Sequence, residues 1–303
     1  MAETATFTVA RPVASLGLIP ALLVCAAAPA FFVVRLAWLG WVLLAAGMLV
    51  AWLLRSRENG GSSANAQPGG HDERTGLATN GRRPSLVRDL SLIAIGMLIV
   101  SVIDLKAELD NLSMLRFTLA LGGAVAVPYL ISRYVYRDRA ISFPWRGGGR
   151  RWSAFQWTWL VLVLVLGWLI LPFYFITSGV YTNWPVVDTP DLIARLFVGV
   201  GAVGIWDELF FICTVFALLR RHFPDVQANI LQSIVFVSFL WELGYQAWGP
   251  LLTIPFALLQ GFIFLRTHSL SYVVTVHLLF DAVVFAVLVH AHNPGLLDGI
   301  FLV

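Results

Sequence analysis

Residues 204–213 read G-I-W-D-E-L-F-F-I-C and place two carboxylates, Asp207 and Glu208, inside a long apolar stretch, residues 192–219. Apolar stretches of about 18 or more residues cross a bilayer as helices, because in lipid every backbone N–H and C=O must be hydrogen-bonded within the segment. An unpaired charge inside such a helix costs several kcal/mol, so each one needs a partner or a water-filled cavity. The stretch therefore predicts a membrane-spanning helix with a polar site at mid-depth.

The composition of the whole chain agrees with a membrane location. Of 303 residues, 59% are apolar and 12% are charged, whereas a soluble domain carries roughly a quarter charged residues. This balance, with a mean hydropathy of +0.81, excludes a soluble or a disordered protein. Two cysteines, Cys25 and Cys213, are too few for a disulfide scaffold. The net charge of +3 gives no indication of nucleic-acid binding.

Nine apolar stretches follow one another along the chain, and the third and eighth are short. They predict an all-α polytopic membrane protein of about nine transmembrane helices. The nine stretches are residues 13–34, 36–54, 90–103, 113–131, 155–177, 192–219, 228–248, 251–265 and 270–291.

Arginines indicate which loops face the cytoplasm, because Lys and Arg accumulate in short cytoplasmic loops. One alternate set of loops holds most of them: Arg55, Arg57, Arg74, Arg82, Arg83, Arg88, Arg133, Arg137, Arg139, Arg146, Arg150, Arg151, Arg220, Arg221 and Arg266. The other loops hold only Arg35 and Lys106. The pattern predicts a multi-pass protein of the cell membrane, with the N-terminus in the cytoplasm and the C-terminus outside.

Four segments are expected from these patterns. Residues 1–54 form an N-terminal transmembrane hairpin, and residues 55–88, rich in Gly, Ser, Asn and Arg, form a disordered cytoplasmic linker. Residues 89–191 hold helices 3 to 5 with their loops. Residues 192–303 hold helices 6 to 9 as a C-terminal core.

Buried ionisable residues mark the C-terminal core as the candidate site. Besides Asp207 and Glu208, the apolar stretches contain Glu242, His277 and Asp281. His277 and Asp281 are four residues apart and share a helix face, and the spacing from the basic loops puts His277 at a depth similar to that of Glu208. We expect these groups to face one cavity, with Glu242 as a further pocket residue. No histidine has a metal-ligand spacing, so neither a metal nor another cofactor is predicted.

The segment from about residue 192 to 289 resembles the CPBP family, the CAAX prenyl protease and bacteriocin-processing intramembrane proteins. Its first motif, E-E-x-x-x-R, here reads D-E-L-F-F-I at residues 207–212. The second, F-x-x-x-H, reads F-V-S-F-L at residues 236–240, and the third, H-x-x-x-N, reads H-L-L-F-D at residues 277–281. Residues 264–281 also resemble the connection that leads into the last motif helix of the family.

The resemblance implies a CPBP-like four-helix core and an intramembrane endopeptidase that cleaves a peptide or membrane-protein substrate. Glu208 is then the base that activates water, Asp207 is its motif partner, and His277 and Asp281 form the oxyanion side. Ile212 stands where the family has Arg, and Leu240 stands where it has the activating His. A carboxylate can serve alone as a base. Acid–base assistance contributes roughly 10²–10⁴-fold to the rate, so the missing histidine need not abolish activity.

Three functions are compatible with these residues. The first is a membrane protease, in contact with lipids and a peptide substrate. The second is a catalytically inactive relative that binds or scaffolds other proteins, because Ile212 and Leu240 replace polar motif residues. The third is a proton-coupled transporter, since buried carboxylates and histidines also mark ion paths, although no inverted repeat is visible. Substrate and oligomeric state are left open by the sequence.

Overall fold

A computed structural model describes residues 13–61, 84–146 and 151–301. Within these ranges the chain is all-helical and has no strand. Its helices are α1 (Val13–Phe32), α2 (Ala37–Gly61), α3 (Leu86–Val100), α4 (Asn111–Val135), α5 (Ala154–Thr177), α6 (Pro190–Leu219), α7 (Asp225–Leu243), α8 (Pro250–Thr267) and α9 (Leu270–His292).

Seven helices are long and apolar enough to cross a membrane: α2 and α4 to α9. The other two are shorter, because α3 has 15 residues and the apolar run counted in α1 is Leu16–Phe32. The prediction of a multi-pass, all-helical membrane protein is confirmed, and the count of about nine spans is approximate. Of the two short stretches, the eighth now counts as a span (α8), whereas the third, α3, does not reach that length.

Polar caps fix where several helices begin. Ser153 and Gln156 form a capping box at the start of α5, and the Thr189 hydroxyl accepts from the Leu192 N–H in front of Pro190, the first residue of α6. The α7 helix ends at Gly244, whose φ of +136° is open to glycine and strained for other residues. These signals fix where α5 and α6 begin and where α7 ends.

Helix α6 contains the main irregularity of the fold. It is α-helical from Pro190 to Asp207, π-helical from Glu208 to Phe216, and α-helical again from Ala217 to Leu219. A π-turn inserts extra backbone into a helix and is frequent at functional sites. Here the change of winding begins between the two adjacent carboxylates.

The loops sort onto two ends of the helix bundle. At one end, Arg221 between α6 and α7 pairs with Asp89 of α3 at 3.0 Å and with Asp138 after α4 at 2.7 Å. At the same end the Leu270 N–H donates to Pro144 O. We call this the basic end, because the described arginines near the ends of α2, α4, α6 and α8 lie here.

The remaining loops meet at the other end, which we call the opposite end. It comprises residues 33–36, 101–110, 178–189, 244–249 and 293–301. Side-chain amides join these loops, since Asn183 donates to Gly244 O and Asn293 donates to Val187 O. Within residues 13–61, 84–146 and 151–301, the arginine-rich and arginine-poor connections therefore lie at separate ends.

The N-terminal hairpin packs directly on the C-terminal core, because α1 contacts α7 as well as α2. Helix α2 continues to Gly61 and α3 begins at Leu86, so both extend into the expected linker at residues 55–88. The middle of that linker, residues 62–83, lies outside the described residues.

Candidate active site

Four of the predicted residues meet at mid-depth between two helices. Asp207 and Glu208 come from α6, and His277 and Asp281 come from α9. All four are buried. The expectation from depth along the two helices, that Glu208 and His277 approach each other, describes the geometry found.

Glu208 is held by two donors and is fully buried. Its Oε1 accepts from His277 Nδ1 at 2.8 Å and from Gln260 Nε2 at 2.7 Å. An ionised carboxylate can only accept, so a neutral imidazole in this contact carries its proton on Nδ1. This tautomer leaves His277 Nε2 as the free, basic nitrogen.

Two more carboxylates flank that free nitrogen. Asp207 Oδ2 lies 3.5 Å from His277 Nε2, and Asp281 Oδ1 lies 3.8 Å from it. Both separations exceed a good direct hydrogen bond and suit a bridging water. Asp207 Oδ1, Asp281 Oδ2 and Glu208 Oε2 are buried without a hydrogen-bond partner among the described residues. Such orphaned polar atoms indicate a site for polar ligand atoms or water.

Gly204 permits the close approach of α9 to α6. A methyl group at this position would overlap the Asp281 carboxylate and press on the His277 ring. By contrast, a methyl group at Gly199 or Gly201 would meet no atom within 4 Å. Only one glycine of the G-x-G-x-x-G sequence at residues 199–204 therefore serves this helix contact.

A cavity of about 320 Å³ ends at these polar groups. Asp207, His277 and Asp281 line it, whereas Glu208 lies behind the imidazole and does not. A smaller space of about 10 Å³ lies on another side of His277 and Asp281. The groups that a molecule in the cavity can touch are thus the imidazole and two aspartates, and Glu208 acts on it through His277.

The replaced motif positions and Glu242 lie around this site in different ways. Leu240 lines both cavities, and Ile212 is fully buried in the π-turn. Glu242 lines neither cavity and instead lies 3.9 Å from Arg35 in the loop between α1 and α2. The structure therefore brings Asp207, Glu208, His277 and Asp281 together and places Glu242 against the hairpin.

Two residues of the site carry no signal that singled them out in the sequence. Gln260 of α8 is fully buried and supplies the second hydrogen bond to Glu208. Tyr245, in the loop after α7, lines both cavities beside His277 and Asp281. Burial raises the pKa of Tyr245 well above its ordinary value, so the hydroxyl stays protonated and can donate. A search for uncharged polar residues in the apolar stretches, near the predicted depth of Glu208, points to Gln260.

Among residues 13–61, 84–146 and 151–301, no group of three or more His, Cys, Asp or Glu side chains has an arrangement that could hold a metal ion.

Residues 189–283 match the family model Rce1-like, described as type II CAAX prenyl endopeptidase Rce1-like. The match confirms the resemblance to the CPBP family that the three motifs indicate. We call these residues the Rce1-like segment. It covers about a third of the chain and includes all four clustered residues, Gln260 and Tyr245. No curated protein and no solved structure matches the chain.

Proposed function

We propose that this multi-pass membrane protein is an intramembrane endopeptidase of the CAAX protease-like type. One observation carries the proposal: the hydrogen-bonded Glu208–His277 pair belongs to the Rce1-like segment, and its His277 stands at the inner end of a largely apolar cavity. A carboxylate that orients an imidazole toward a reacting group is a recurrent device for activating a nucleophile.

In this mechanism Glu208 and His277 act as one unit. Glu208 accepts from Nδ1–H and stabilises the imidazolium, and Nε2 takes a proton from water as that water attacks the peptide carbonyl. His277 then gives the proton to the departing nitrogen, so that the peptide and water yield a carboxylic acid, which ionises, and an amine. The resemblance alone makes Glu208 the direct base. We assign that step to His277 because Glu208 does not reach the cavity.

The aspartates and Tyr245 complete the proposed chemistry. Asp207 Oδ2 and Asp281 Oδ1, the carboxylate oxygens nearest His277, hold the water against His277 Nε2. The protonated His277 and the Tyr245 hydroxyl favour the negative charge that develops on the carbonyl oxygen. Gln260 holds the Glu208 carboxylate through Oε1, the same oxygen that accepts from His277.

The test is turnover of membrane-spanning peptides by the purified protein in liposomes, followed by mass spectrometry. Glu208→Gln weakens the orientation of His277 and is expected to lower the rate by roughly 10²–10⁴-fold. Glu242→Gln is the matched control, because it changes a partly buried glutamate that lines neither cavity, and it should retain the wild-type rate. Equal cleavage by wild type and Glu208→Gln contradicts the mechanism.

A non-catalytic binding role is the second candidate, and Leu240 favours it. Its side chain stands on the walls of both cavities, where the family motif has a histidine. If the wild type cleaves no peptide while a peptide binds and protects the folded protein against heat, the scaffold function replaces the protease.

We also propose an orientation in the cell membrane, and it rests on the arginine distribution. With the basic end in the cytoplasm, the N-terminus is cytoplasmic and the C-terminus lies outside the cell membrane.

A further inference from the structure

The walls of the 320 Å³ cavity come from only one half of the bundle. Thr118 of α4, Leu196 of α6 and Val284 of α9 line it, together with Glu108 from the loop before α4. Each of these positions lies between the polar cluster and the opposite end. The cavity therefore reaches from mid-depth toward the arginine-poor loops.

Toward the basic end the same site is closed by aromatic side chains. Phe210 and Phe211 of α6 and Phe236 and Phe239 of α7 are fully buried below the cluster. The Phe211 and Phe236 rings stack with centroids 4.3 Å apart. None of these four rings lines either of the two cavities described above.

The cavity also has an opening on its side, between α4 and α6. Two polar contacts join these helices: Trp206 Nε1 donates to Leu121 O at 2.6 Å, and Arg195 donates to Asn111 Oδ1 at 2.6 Å. From Arg195 to Trp206, α6 rises roughly 16 Å at about 1.5 Å per residue. We call the part of the α4–α6 gap between these contacts the side window.

Residues in the side window are exposed on the outer surface of the bundle and line the cavity as well. Thr118, Val198 and Ala202 have both properties. Because these residues belong to membrane-spanning helices, their outer faces contact the hydrocarbon interior of the bilayer. A substrate that enters here has to be apolar, since a charged segment at this depth is costly.

Building on the hydrolase function proposed above, we propose that the substrate is an apolar, membrane-embedded peptide segment that enters sideways through the side window. It arrives in the half of the bilayer at the opposite end, which the arginine distribution makes the non-cytoplasmic half. The scissile bond meets His277 at mid-depth. The part of the substrate beyond that bond extends along the cavity toward the loop that contains Glu108.

The side of access is tested without any proteolysis. Val284→Cys puts a thiol on the cavity wall, and Val283→Cys, its neighbour, puts one on a face that packs on Gly167. The native Cys25 and Cys213 are fully buried and give little background. A charged, membrane-impermeant thiosulfonate should label Val284→Cys in intact cells and leave Val283→Cys unlabelled.

The reverse experiment uses inside-out vesicles, where the basic end faces the reagent. There Val284→Cys should stay unlabelled. Labelling from the basic end, or no labelling of Val284→Cys from either side, overturns the proposed route. Neither result depends on whether the protein cleaves peptides, so failure of the route and failure of the protease function are distinguishable.

The side window itself is tested by filling it. Ala202→Trp narrows the gap between α4 and α6, whereas Leu119→Trp changes an exposed α4 residue that does not line the cavity. For a membrane-spanning peptide, Ala202→Trp should raise KM by about tenfold or more and Leu119→Trp should leave it unchanged. Equal KM values for the two variants contradict lateral entry.

Discussion

At the scale of single residues, the main indication that the polar cluster has a function is the free energy lost by burying it. Three carboxylates and an imidazole lie buried together in a membrane protein, and three of the carboxylate oxygens lack a partner among the described residues. A packing role alone is better served by apolar side chains of similar size, because buried ionic groups rarely repay the loss of water. The arrangement instead suits a site that receives water and a substrate carbonyl.

The first prediction concerns Gly204, whose lack of a side chain leaves the space that the Asp281 carboxylate occupies. Gly204→Ala overlaps the Asp281 carboxylate and should lower the free energy of unfolding by about 1–3 kcal/mol, the range for overpacked cores. Peptide cleavage should fall with it, because His277 is displaced as well. Thermal unfolding in detergent and the cleavage rate measure the two effects.

Gly201→Ala is the control for that substitution. It lies on the same helix, one turn away, with open space around the added methyl group. The free energy of unfolding of the Gly201→Ala variant should stay unchanged or rise by up to about 1 kcal/mol, which is the helix preference of Ala over Gly. Equal destabilisation by both alanines would show that Gly204 has no special role.

Much of the cluster could be predicted from the sequence, and the reason is physical. Charged residues are rare in apolar stretches, so Asp207, Glu208, His277 and Asp281 stand out, and helix rise puts Glu208 and His277 at a common depth. Gln260 has no charge, and its contact with Glu208 depends on how α8 packs on α6. That packing is a tertiary property that periodicity does not determine. The exclusion of Glu208 from the cavity could not be predicted for the same reason.

At the scale of helices, a charge cluster at the basic end ties α3, α6 and the loop after α4 together. Asp89 is almost fully buried and accepts from Arg221 at 3.0 Å and from His222 at 2.7 Å. Arg221 also contacts Asp138. This network anchors the end of α6 that follows the π-turn, and so it supports the position of Glu208.

The second prediction tests that anchor. Asp89→Ala leaves the buried Arg221 with a single partner and should lower the free energy of unfolding by about 3 kcal/mol, as breaking a buried ion pair does. Asp225→Ala removes an exposed partner of Arg220 and should cost at most about 1 kcal/mol. Urea or thermal unfolding of both variants in the same detergent gives the comparison. Similar losses for the two would mean that the cluster does not anchor α6.

Hydropathy located the helices well, yet it could not determine their details. The nine apolar stretches correspond to nine helices in the described ranges, with ends that differ by several residues, as for α2 and α3. Polar residues such as Arg55 can continue a helix beyond the bilayer, and a hydropathy boundary ends before them. The π-turn at Glu208 has no signature in the apolar pattern, since it results from packing against neighbouring helices.

At the scale of the molecule, the site is not confined to the Rce1-like segment. Helix α4 and the loop at residues 101–110 precede that segment and form one wall of the cavity. The hairpin also contacts the core, through α1 on α7 and through Arg35 near Glu242. Residues 1–54 and 89–191 were expected as segments beside the core, and we now propose that α4 takes part in choosing the substrate.

The most direct measurement of the central claim is cleavage of a membrane-spanning peptide in H₂¹⁸O by the full chain in liposomes. The account predicts one ¹⁸O atom in the new carboxylate of the product, and a rate that falls at least about 10²-fold in His277→Gln. Product that lacks ¹⁸O, or equal rates for wild type and His277→Gln, would contradict water activation by the Glu208–His277 pair.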